Sequence, residues 1–319
     1  MIEILSFAVQ LAGVVLVAAV LSSVLSGVLY LPFRQSIRLF DPSTRSLVTL
    51  CFALIAPAAS IVTALLYLVP GHAQLLVVQH CHGGDCSIHA PLVAARSPGG
   101  IGLFTVASFL ILGLVAGIAR VVIVGRRRLA VLFVLGVQNR IPDHLILESD
   151  RLFAWCCGLL RQRIVISRGL LDRLSPPQLD VVLAHEAAHA ARFDNLRSLA
   201  AQWSTRLWPS NFRDRILADL VADCEQSCDS AALCVAADPA LFRQAVDVMT
   251  QEPSVHRGSG VVQFGSQVSA YRISAASAGT ERRPSIAYLT VAFMWILQSA
   301  VAIAASHPIV ETVAAIGFW

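Results

Sequence analysis

Two histidines and a glutamate in the run His185-Glu186-Ala187-Ala188-His189 carry the clearest chemistry in this chain. On a helix, residues four apart project from one face, so His185 and His189 can grip one metal ion between them. Glu186 follows the first histidine and is placed to take a proton from water that the ion activates, without ligating the ion itself. A hydrolytic zinc ordinarily has three protein ligands and an open position, so a third ligand is required. The run Asp223-Cys224-Glu225-Gln226-Ser227-Cys228-Asp229 offers one, with Glu225 and Asp229 four apart on one helix face. Glu225 suits the ligand role; Asp229 suits an acceptor for the spare ring N–H of a ligand histidine, fixing its tautomer. Cys224 and Cys228 are rival ligands. Thiolate-rich sets are commoner in closed structural sites, so the carboxylate is favoured and both cysteines are read as structural thiols.

The elements that must position these residues have local signals of their own. Ser175 is an N-cap, Pro176 stands at the first helical position, and Gln178 completes an S-x-x-Q capping box. Leu179, Val182, Leu183 and Ala190 give the metal helix an apolar stripe that seats it in a core. Upstream, His144–Glu148 and Leu152–Trp155 read as short strands and Arg163–Ser167 as a stronger one, rich in β-branched residues. Arg163–Ser167 is also the strand on which an extended substrate can be bound by strand addition. Gly169–Leu174 reads as a helical turn. Downstream, Asp194 and Asn195 open a second helix with Leu196, Leu199, Trp203 and Leu207 on one side, ending near Pro209. A third helix runs from about Asn211 to Ala236, and Asp238-Pro239 caps a fourth that reaches Glu252. Residues 253–283 are rich in Ser and Gly and read as a flexible linker. His256, Tyr271 and several arginines are candidates for oxyanion stabilisation, and nothing in the sequence ranks them.

A chain of 319 residues that is 56% hydrophobic and only 14% charged is a membrane protein with a soluble insert. Apolar runs at about 4–31, 47–69, 101–124 and 284–310 predict four transmembrane helices, with Pro57 kinking the second. Arg34, Arg38 and Arg45 follow the first run, Arg126, Arg127 and Arg128 the third, and Arg282 and Arg283 precede the fourth. By the positive-inside rule all these flanks are cytoplasmic and both termini extracytoplasmic. The predicted organisation is residues 1–124 with three spans and an outer loop at 70–100, a cytoplasmic domain over 125–284, and a last span with a short tail over 285–319. The fold class is an α-helical integral membrane protein with a cytoplasmic α+β zincin-like metallopeptidase domain. All 24 basic residues are arginine, the net charge is only +4, and no basic cluster argues for nucleic acid. The outer loop contains His80-Cys81-His82-Gly83-Gly84-Asp85-Cys86 and His89. A Cys81–Cys86 disulfide, an ordinary polar loop and a metal site remain three open readings there.

Ile164-Val165-Ile166-Ser167, Gly169-Leu170-Leu171, Leu174-Ser175, HEAAHAARFDN and EQSCD together resemble the BlaR/MecR-type membrane metallopeptidases, an antirepressor family of gluzincin type. That resemblance implies zinc held by His185, His189 and Glu225, Glu186 as general base, and Asp229 behind a ligand. It also implies a cytoplasmic protein substrate, a winged-helix repressor of the BlaI/MecI type. The β-lactam receptors of that family carry a penicillin-binding sensor after the fourth span; here Ser306–Trp319 is all that follows, so β-lactam sensing is not expected. Heat-shock and CAAX-type membrane proteases share HExxH…ExxxD but place a span soon after the metal helix. Residues 191–215, with seven charges, are too polar for that. A constitutive quality-control protease and a non-catalytic zinc-stabilised signalling protein are the alternatives. The inducing signal and oligomeric state are not encoded in any of these features.

Overall fold

A computed structural model describes residues 2–68, 80–82, 85–87, 97–137, 144–236, 238–250, 262–263 and 284–315. Among the described residues three helices are long and apolar enough to cross a membrane: within α1 (Ile2–Ile37), within α4 (Pro98–Leu135) and within α10 (Pro284–Ala315). The expected second span is broken. Helices α2 (Pro42–Ala53) and α3 (Ile55–Leu68) meet at a 45° bend, and only the pair together reaches spanning length. The break falls at Leu54 because Pro57 has no N–H to offer the Ala53 carbonyl and its ring crowds that carbonyl. By length and composition the described residues therefore include three candidate spans, or four if the bent pair counts as one.

Helix α1 is the centre of the bundle and packs on α3, α4 and α10. Ala18, Ala59 and Ala302 are fully buried where α1, α3 and α10 meet, since small side chains let apolar helices approach closely. Ser26 Oγ donates to Gln298 Oε1 at 2.7 Å across the same seam. Helix α4 leaves most of its apolar residues exposed, the surface expected to face lipid.

The remaining elements form the α+β domain. Strands β3 (Gly136–Val137), β4 (His144–Leu147), β5 (Ala154–Cys157), β6 (Arg163–Ser167) and β7 (Val262–Gln263) make one sheet in the order β3-β4-β6-β5-β7. Only β4 and β6 run parallel, with Leu145 opposite Val165; Trp155 faces Val165 from the antiparallel side. Alternation along β4 and β6 buries Ile146 and Ile166 against α6 (Pro176–Arg192) and α9 (Pro239–Thr250), and Leu145 and Val165 on the other face. Each such side chain contributes about 1.5–3 kcal/mol by leaving water. The short helix α5 (Arg168–Arg173) starts where Ser167 Oγ accepts the Leu170 N–H at 3.2 Å.

A second core joins this domain to the membrane helices. Tyr30 and Phe33 of α1, Phe52 of α2 and Trp208 form one aromatic cluster, with Phe33 stacked on Phe52 at 4.1 Å between ring centres. A small hairpin, β1 (His80–His82) with β2 (Asp85–Ser87), sets Cys81 opposite Cys86 in backbone register. The side chains of that loop lie outside the described residues, as do His89, His256, Tyr271 and most of 253–283.

Candidate metal centre

Helix α6 begins as its sequence predicts, with the Ser175 N–H donating to Gln178 Oε1 at 2.9 Å. Its buried face carries Val181, Val182, His185, Glu186 and His189. Opposite lies α8 (Ser210–Val235), the principal helical neighbour of α6, with Glu225 and Asp229 buried toward it. His185 and His189 point their Nε2 atoms at one another, 3.1 Å apart, with the rings inclined at 73°. Glu225 closes the triangle: Oε2 is 3.9 Å from His185 Nε2, and Oε1 is 3.7 Å from His189 Nε2. These three residues offer ligand atoms that all lie within 4.8 Å of one another.

Each imidazole is held from behind by a carboxylate. Asp229 Oδ1 is 3.1 Å from His185 Nδ1, the position expected of it. Asp194 Oδ2 is 2.9 Å from His189 Nδ1. From the sequence, Asp194 is legible only as the start of α7 (Asp194–Ser204). It reaches back to His189 because Phe193, between α6 and α7, adopts the left-handed conformation at φ 57° and reverses the chain. A carboxylate on each Nδ1 leaves each Nε2 lone pair directed at the same point.

Burial pushes the His185 imidazole below its ordinary pKa, against the pull of Asp229, which keeps the neutral form that can donate a lone pair. Burial also depresses His189, but the Asp194 hydrogen bond and the charges of Glu225 and Glu186 outweigh it and raise the ring to about 9. Asp194 is a strong acceptor: burial would raise its carboxyl, yet the His189 hydrogen bond with Arg192 and Arg197 nearby holds it below the usual range.

Cys228 Sγ lies 3.7 Å from Asp194 Oδ2, on the Nδ1 side of His189, and Cys224 packs in the aromatic core. Burial pushes both thiols well up, away from the thiolate that a metal requires. Cys156 and Cys157 are buried in β5. Two imidazole nitrogens and a carboxylate, backed by hydrogen-bonded carboxylates, fit a zinc ion.

The expectation of strand addition to Arg163–Ser167 is corrected: β6 is an inner strand with β4 on one edge and β5 on the other, so it has no edge to offer. Beside it, β5 packs on α6 and carries Val262–Gln263 on its outer edge. Sequence reasoning also misses a polar clamp beneath the site. Arg34 of α1 donates to Asp223 at 2.5 and 3.0 Å, and Arg45 of α2 donates to it at 2.9 Å and also reaches Gln226. Arg192, at the end of α6, donates to Ser43 and Ser46 of α2 and also bonds Ser227 of α8.

A model of peptidase family M48 matches residues 135–315, more than half of the chain, from the end of α4 through α10. The chain belongs to peptidase family M48, whose members are zinc-dependent metallopeptidases; with its membrane helices it is a membrane metallopeptidase. No curated protein and no solved structure matches it.

Proposed function

We propose that this protein is a membrane-embedded zinc endopeptidase that hydrolyses a peptide bond in a cytoplasmic protein. The observation that carries the reading is the convergence of His185, His189 and Glu225 beside a buried Glu186. His185, His189 and Glu225 hold the metal. Zinc bound there supplies a Lewis acid for the scissile carbonyl and lowers the pKa of water toward neutrality. Glu186 takes the proton of the attacking water and delivers it to the leaving amine. Asp229 and Asp194 fix the two imidazoles with their Nε2 atoms inward. The arginine-rich flanks support a cytoplasmic position for this domain, with both termini outside.

For the substrate, the resemblance of the motif run to the BlaR/MecR type supports a winged-helix repressor of the BlaI/MecI type, cleaved in a signalling pathway. A second reading, quality control of membrane proteins, is favoured by the packing of the domain directly on α1 and α2. The deciding experiment reconstitutes wild type and Glu186→Gln in liposomes and offers each a winged-helix repressor or an unfolded membrane protein. Fragments are read by intact mass and zinc by elemental analysis. One cut in the repressor by wild type alone, with zinc in both proteins, supports the antirepressor; many cuts in the membrane protein support quality control. Equal cleavage by the two proteins, or zinc in neither, overturns the site.

A further inference from the structure

The end of α7 and the turn between α7 and α8 lie against the membrane helices near the ends of their apolar runs. A Cβ placed on Gly117 of α4 would meet the Trp203 ring of α7 at 2.1 Å, so the indole sits in a notch that only glycine leaves open. On α1, Gly27 has Pro209 at 3.1 Å and Phe212 at 3.4 Å by the same measure. Gly117 belongs to the uncharged run that ends at Arg120, and Gly27 to the one that ends at Arg34. Seven helical residues separate Gly27 from Arg34, about 10 Å. Two different spans thus put the turn at one level, just below their first arginines.

Large apolar side chains are exposed along α7 and this turn, among polar ones such as Ser210, Asn211 and Asp214. Phe193 is 44% exposed, Leu196 36% and Leu207 41%. Leu196, Ala200 and Trp203 follow one another at helical spacing along one face of α7, and Leu207 lies in the turn beyond it, since α7 ends at Ser204 and not near Pro209 as expected. Arg206 stacks on Trp203 at 4.8 Å, which carries its charge up along the indole, and Arg206 and Arg215 are exposed. An apolar stripe with an amphipathic tryptophan and arginines on its rim fits the acyl–headgroup boundary, into which such elements sink about 5–10 Å.

We propose that α7 and the α7–α8 turn form an interfacial anchor that inserts Leu207 and Leu196 into the bilayer surface beside Trp203, which is seated on α4, with Arg206 and Arg215 among anionic headgroups. This goes beyond the peptidase reading and does not depend on it. It also bears on the site, because α7 begins with Asp194, the carboxylate behind His189. From Trp203 to Asp194 is about 14 Å along the helix. The metal centre is therefore tied to the bilayer surface through one short rigid element, a geometry suited to a juxtamembrane peptide segment.

The test uses the full chain in liposomes of phosphatidylethanolamine and phosphatidylglycerol. A nitroxide is attached through p-acetylphenylalanine in place of Leu207, Leu196 or Val235, which leaves the native cysteines untouched. Val235 is 54% exposed at the far end of α8, about 37 Å away along that helix. Collision rates with oxygen and with a water-soluble nickel chelate report depth. The expected oxygen-to-nickel ratio is several-fold higher at 207 than at 235, with 196 between them. A ratio at 207 equal to that at 235 places the turn in water and overturns the anchor. Shielding of 207 from both reagents also overturns it, by showing a protein surface or a second copy on this face. Should the 207 variant fail to fold, the label at 196 decides by the same comparison with 235.

Discussion

Asp223 and Glu225 stand two residues apart on α8, both largely buried, and they face different company. Asp223 accepts hydrogen bonds from the guanidinium groups of Arg34 and Arg45, and Arg34 also lies 3.5 Å from Asp219. Two arginines and two aspartates balance there, and guanidinium groups stay charged at any pH the protein meets. Glu225 faces the Nε2 atoms of His185 and His189. An imidazole, unlike a guanidinium, can give up its proton and donate a lone pair, so this donor set can gather electron density at one point around a cation. The first cluster is a tie between helices and the second is a binding site. What separates them is the kind of base that meets each carboxylate.

Substitutions on the two sides should break this contrast in opposite ways. Glu186→Gln keeps zinc and lowers turnover about a thousandfold, the scale of a lost general base. His189→Ala loses both zinc and activity, read by elemental analysis and peptide cleavage. Asp223→Ala leaves two partly buried guanidinium groups without their shared counterion and costs about 3–5 kcal/mol of stability. Chemical denaturation in detergent, with a chelator present, should show that loss. Glu225→Ala under the same chelated conditions should unfold close to wild type while failing to retain zinc. A Glu225→Ala protein as unstable as Asp223→Ala would mean that both carboxylates are structural ties.

Much of the site is legible in the sequence because its signals are local. The S-x-x-Q cap, the i, i+4 histidines and the i, i+4 pair Glu225 and Asp229 follow from helix geometry, and the structure brings all four site residues together. Helix α6 starts at the expected Pro176 and α8 lies within one residue of its expected bounds, while α7 stops at Ser204, short of the expected end near Pro209. What is not legible depends on the third dimension. Asp194 meets His189 through a left-handed Phe193, a conformation that no glycine or asparagine signals. Whether Arg163–Ser167 is an edge or an inner strand depends on pairing order, which periodicity does not encode. The clamp joins Arg34 and Asp223 across 189 residues, and the sequence shows only that each is charged. Pro57 signals the bend at Leu54; nothing local signals the burial of α2 against α8, which makes half of the expected span part of the domain.

Asp194 sharpens the comparison because it belongs to both sides: it binds His189, and Arg192 and Arg197 lie at 3.5 and 3.7 Å from its other oxygen. Asp194→Asn keeps the shape and one acceptor oxygen but removes the charge that fixes His189, so zinc affinity should fall about 10–100-fold. Zinc competition with a chelator of known affinity measures this, and Asp229→Asn should give a loss of similar size through His185. An unchanged affinity in both variants would mean that the convergence of the Nε2 atoms is set by helix packing alone. The smallest effect is expected at Glu148 and Arg168, a pair at 2.9 Å whose side chains are 52% and 38% exposed. Solvent screens that pair, and each side chain loses freedom in forming it, so Glu148→Gln should leave the unfolding midpoint where it was. A clear drop would show that burial is not what gives the Asp223 tie its strength, and the distinction between tie and site would need another basis than the company each carboxylate keeps.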